Sequence, residues 1–178
     1  MMRIFAHIGV CFVLLLGVGA LWRVTPFEVV APNVALLFAL YLGVSGRSTL
    51  WEATVAVLAI GYLHDVLAGA PRGLASLVLG VLCILARVVT ARLLVRGAVF
   101  VAVVAFLGAL AAAVLTLLVE IAFDAAVAPF AAEVVAAVGS AALTALVAPA
   151  GFRLCRSVDA LFARTQRERE ALREGYLT

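Results

Sequence analysis

Lysine is missing altogether: all thirteen basic residues of this 178-residue chain are arginine. Charge of either sign is scarce, at 13% of residues, where a soluble domain carries about 25%. That shortage excludes a water-soluble globule. Hydrophobic residues make up 67% of the chain and its mean hydropathy is +1.25, which defines an all-α integral membrane protein of one domain. Cysteine is nearly absent too. Cys11, Cys83 and Cys155 lie far apart in apolar surroundings and form no C-x-x-C pair, so neither a disulfide framework nor a structural metal is expected. G-x-S-x-G, a phosphate-binding P-loop and H-E-x-x-H are all missing. The turn at Ser45-Gly46-Arg47-Ser48 is too short to cradle a phosphate. The chain therefore gives no reason to expect catalysis, a cofactor or a metal site. A pI near 9.1 does not point to nucleic acid either, because the arginines stand at the ends of apolar runs and in the tail, where membrane orientation explains them.

What is present is a series of apolar runs near the length of about 20 residues that a spanning helix needs. Six are expected, at 4–21, 29–44, 53–67, 74–95, 98–121 and 130–148. The first run ends in small residues as a signal peptide does, but it is longer than the usual h-region of about 7–15 residues. The second opens on Pro32-Asn33, which reads as a helix entry because proline is tolerated in a first turn. Pro149 and Gly151 are expected to stop the sixth. Within it Ala132, Ala136, Ser140, Thr144 and Ala148 recur every four residues, a smooth ridge suited to close helix contact. Ala105, Ala109 and Ala113 repeat the pattern on the fifth.

Residues 1–152 thus form a membrane domain, and 153–178 a charged tail in which Leu154, Val158, Leu161 and Phe162 share one helical face. That tail reads as an amphipathic cytoplasmic helix on the membrane surface. With the N-terminus cytoplasmic, Arg3, Arg47, Arg87, Arg92, Arg96, Arg153, Arg156, Arg164, Arg167, Arg169 and Arg173 lie inside, against only Arg23 and Arg72 outside. This positive-inside bias places both termini in the cytoplasm. Glu28, Asp65, Glu120, Asp124 and Glu133 gather on the outer side, an electronegative rim suited to a basic partner segment.

The third and fourth runs meet at Gly61–Gly73, G-Y-L-H-D-V-L-A-G-A-P-R-G. His64 and Asp65 stand there at membrane depth, where an ionisable group marks a site or a partner contact. Neighbours on a helix point about 100° apart, so the two are not a preformed dyad. An unpaired buried Asp65 would neutralise. Its candidate partners are Arg72, folded back past the break, and a cation from another protein. A capping role on the fourth helix is not expected, since Asp65 precedes that helix by many residues. Gly61, Gly69 and Gly73 suit close packing and a bend.

Pro32-Asn33, then Gly61-Tyr62-Leu63-His64-Asp65, then Gly69-Ala70-Pro71-Arg72-Gly73-Leu74 resemble the pattern of the rod shape-determining protein MreD family, and length and hydropathy agree to about Phe162. Asn33 stands where that family commonly has Asp, and His64 where it is usually apolar. The resemblance implies a non-enzymatic inner-membrane subunit of the bacterial rod complex (the elongasome), which maintains cell shape during peptidoglycan synthesis. Its implied partners are MreC by direct protein–protein interaction and, in the same complex, MreB, RodA and a class B penicillin-binding protein. The implied fold is similar to the six-helix substrate-binding subunits of energy-coupling-factor transporters. A substrate-binding subunit of a vitamin transporter is accordingly the alternative function.

Overall fold

A computed structural model describes residues 2–22, 31–45, 49–69, 71–90, 97–123 and 130–175, with side chains to Phe162 apart from that of Phe130. Six helices account for nearly all of them: α1 (Met2–Trp22), α2 (Val34–Val44), α3 (Leu50–Ala68), α4 (Leu74–Thr90), α5 (Ala98–Ala122) and α6 (Phe130–Gly175). Four carry stretches long and apolar enough to cross a membrane: Met2–Trp22, Leu50–Ala68, Ala98–Ala122 and Ala131–Phe162. Helices α2 and α4 are apolar but shorter. The fold is all-α, and its long apolar helices are those of a multi-pass membrane protein.

The bundle is built around its shortest member. Every residue of α2 from Val34 to Gly43 is buried, and α2 touches each of the other five helices. A helix that is apolar all round has no solvent face to present and belongs at a centre. Its eleven residues rise only about 16 Å, roughly half of a hydrocarbon core about 30 Å thick. Gly43 lets α4 approach: a Cβ there would lie 2.7 Å from the Cys83 carbonyl oxygen. Around this axis, large apolar side chains such as Phe5, Val13, Leu107, Leu118 and Leu146 are exposed. That outer surface suits acyl chains.

Several boundaries differ from the sequence expectation. Helix α2 starts at Val34, and Asn33 is its N-cap, accepting a hydrogen bond from the Leu36 N–H at 2.9 Å. Pro32 therefore lies before the helix and not in its first turn; residues 29–30 fall outside the described set. Helix α3 starts three residues earlier than the apolar run because Thr49 and Glu52 form a reciprocal capping box. Helix α4 is described to Thr90, and 91–96 lie outside the described residues.

The largest correction concerns α6. Pro149 does not stop it: the helix runs unbroken for 46 residues, about 69 Å. Proline removes one backbone donor, a loss that membrane helices tolerate when neighbours hold both sides of the defect. Here Ala148 and Phe152 are both buried, and a Cβ on Gly151 would sit 3.3 Å from Leu37 of α2. Tertiary packing carries the helix through the proline. The buried face beyond it is Phe152, Cys155, Val158 and Asp159; of the apolar face expected to lie on the membrane surface, Val158 is buried and Leu154 and Leu161 are exposed.

Candidate functional site

At the end of α3, Gly69 adopts φ +68° and its N–H returns to the Asp65 carbonyl, closing the helix with a left-handed residue. Gly73 follows at φ +97°. These two glycines fold the chain back so that Asp65, 1% exposed, faces the start of α4. Its carboxylate accepts from the Gly73 N–H at 2.9 Å and from the Ala75 N–H at 3.0 Å. Asp65 thus caps α4 from the preceding helix. The expectation against capping fails because separation along the chain does not measure distance once an elbow intervenes. The carboxylate also lies at the positive end of the α4 dipole. Arg72 does not fold back onto Asp65: it is exposed, and the ion pairs among the described residues involve Asp159 instead.

Close packing locks the elbow. A Cβ on Gly61 would fall 2.5 Å from the Cα of Ser76, so the backbones of α3 and α4 touch at that point. The hydroxyl of the same Ser76 donates to the Leu58 carbonyl, three residues before Gly61, at 3.0 Å. Gly61, Asp65, Gly69 and Gly73 together make one joint. Gly61 permits the crossing, the other two glycines turn the chain, and the acid satisfies the new helix start.

Beside the joint is a cavity of about 200 Å³ lined by Asn33, His64, Asp65, Leu74, Ala75, Val78, Leu79, Ala112, Thr116 and Glu120. Asn33, at the start of α2, reaches the same place as the elbow. Its backbone N–H donates to the Thr144 hydroxyl at 2.9 Å. The Nδ1 of His64 is buried and has no hydrogen-bond partner among the described residues.

The small-residue ridge of α6 is split by the fold. Thr144 and Ala148 are fully buried, and Ser140 donates to the Ala31 carbonyl at 2.7 Å. Ser140 and Thr144 hold the entry to α2 through Ala31 and Asn33, and Ala148 packs inside the bundle. Ala132 is exposed and Ala136 is half-buried. On α5, Ala105 and Ala109 are buried, and α5 and α6 share an extensive interface.

A second polar cluster at the opposite end escaped the sequence reading. Asp159 of α6 is buried and accepts from the Tyr41 hydroxyl of α2 at 2.6 Å. It lies 3.6 Å from both Arg3 Nε and His7 Nε2 of α1. His7 stacks on Tyr41 with ring centroids 5.9 Å apart, and Phe152 meets the Tyr41 ring edge-on. The cluster ties α1, α2 and α6 together. Two signals point to it: an acid inside an arginine-rich segment, and a histidine four residues after Arg3 in an otherwise apolar run.

Comparison with protein-family models, with curated proteins and with solved structures finds no match. The class that the fold defines is an all-α protein of six helices among the described residues, four of them long and apolar enough to cross a membrane.

Proposed function

We propose that the chain is a non-enzymatic inner-membrane scaffold subunit of the rod elongation complex. It crosses the membrane six times, counting α2 and α4 as spans, with both termini cytoplasmic. It binds MreC directly and through it MreB, alongside RodA and a class B penicillin-binding protein. A bundle similar to energy-coupling-factor substrate-binding subunits belongs to the same reading.

The observation that carries it is the elbow. Four of the residues on which the resemblance to MreD rests, Gly61, Asp65, Gly69 and Gly73, serve one architectural purpose, a tight capped joint between α3 and α4. A motif of three glycines and one acid, all used in shaping a bundle, is what a scaffold asks of its sequence. Charge supports the orientation: Arg3, Arg87 and Arg156 sit around the Tyr41–Leu42 end of α2, whereas Asp65 and Glu120 share the elbow-end cavity.

The cavity is the one feature that favours the alternative, a vitamin-transporter subunit. Its volume of about 200 Å³ falls below the roughly 300–1,000 Å³ of sites for vitamin-sized ligands. The test is affinity purification of the tagged full chain from native membranes in mild detergent. MreC copurifies under this reading. Native mass spectrometry showing a stoichiometric small molecule and no MreC would replace it with the transporter reading.

A further inference from the structure

Among the described residues the elbow cavity is short of positive charge. Two carboxylates, Asp65 and Glu120, line it, and none of the described arginines does. Asp65 is engaged in capping α4. Glu120 is half-buried and, among the described residues, has neither an ion pair nor a hydrogen bond. His64 contributes a buried ring nitrogen that is equally unpartnered, and Thr116 and Asn33 add further polar atoms to the wall. A buried imidazole nitrogen without a partner is costly unless a ligand satisfies it, and the half-buried Glu120 carboxylate on the same wall supplies the charge to hold one. The described His, Cys, Asp and Glu residues form no group able to cage a metal ion.

We propose that this cavity is a binding site for one organic monocation, a guanidinium or primary ammonium group. Glu120 is the charge partner and His64 Nδ1 a hydrogen-bond acceptor. The volume of about 200 Å³ admits a planar guanidinium with a short alkyl stem and a few waters, each water occupying about 30 Å³. The neighbouring Leu74, Val78 and Leu79 suit such a stem. The cation comes either from a basic side chain of a partner polypeptide or from a free small molecule. The site stands on its own geometry and does not depend on the rod-complex reading.

The chain has two histidines, so full-length protein labelled with ¹⁵N-histidine in nanodiscs gives two imidazole spin systems. The His64→Gln variant assigns them. Titration with butylguanidinium, a monocation with its guanidinium on a four-carbon alkyl stem, shifts the His64 signals and leaves those of His7, at the opposite end, unmoved. Choline, a monocation that cannot donate a hydrogen bond from its charged centre, has at least tenfold less effect at equal ionic strength. Glu120→Gln abolishes the butylguanidinium response and Glu120→Asp retains part of it. Equal shifts with butylguanidinium and choline, or an undiminished response in Glu120→Gln, overturn the proposal. A diazirine side chain at Leu74, activated in cells, separates the sources. A polypeptide adduct lost in Glu120→Gln identifies a partner's side chain, and a butylguanidinium response without any such adduct identifies a free cation.

Discussion

Asp65 shows how far a single carboxylate can differ from the role its surroundings suggest. At membrane depth it reads as a docking group, yet both its oxygens are bound to backbone N–H groups of α4. Asp65→Ala leaves two donors at a half-buried helix start without their acceptor, at a cost of about 1–3 kcal/mol. The expected result is a lower thermal midpoint in detergent, with Asp65→Asn falling between alanine and the native residue because an amide oxygen replaces one acceptor only. Glycines give a sharper contrast. Gly61→Ala forces a methyl into the Ser76 backbone and costs about 1–3 kcal/mol. Gly9→Ala meets nothing within 4 Å and is neutral or stabilising by up to about 1 kcal/mol. Equal midpoints for the two variants would refute the close α3–α4 crossing. Sequence marks Asp65 and Gly61 as special because each is out of character in an apolar run. It does not reveal what they touch, since that depends on a chain reversal eight residues long. His7 is equally out of character in its apolar run, but its partner Asp159 lies 152 positions away.

The existence and order of the helices are legible in the apolar runs, and the ends are legible only where local chemistry is read closely. Thr49-x-x-Glu52 is a capping box visible in the sequence and sets the true start of α3. Pro149 misleads, because propensity is a local rule and α6 is held by contacts with α2 on either side of the proline. The short α2 can be central because neighbours, not water or lipid, cover its whole circumference. Its link to α1 and α6 through Tyr41 and Asp159 makes α1 an integral part of the bundle. Tyr41→Phe keeps the stacking on His7 but removes the 2.6 Å bond to Asp159, a charge-assisted contact worth about 1.5–3 kcal/mol. Limited proteolysis should then cut α1 faster than in the native chain, with α3 and α4 unaffected. Unchanged protection of α1 would mean that apolar packing alone retains it.

At the scale of the whole molecule, the polar groups divide between two ends of an apolar bundle. One end joins α1, α2 and α6 through Asp159; the other holds the elbow and its acid-lined cavity. If the arginine bias sets orientation, cysteine introduced at exposed Arg72 is labelled by a membrane-impermeant maleimide from the periplasmic side, whereas cysteine at exposed Arg153 is labelled only after permeabilisation. Cys11, Cys83 and Cys155 are buried and leave a quiet background. Labelling of both positions from one side would contradict the topology. The claim that this chain is a shape-determining scaffold is tested most directly by depleting it in its native bacterium and measuring cell aspect ratio during growth. The account predicts rods that widen and round up while mass continues to increase, with shape restored by the native chain and not by a Gly61→Leu variant present at equal level in the membrane. Cells that stay rod-shaped and instead acquire a requirement for an external nutrient would contradict it.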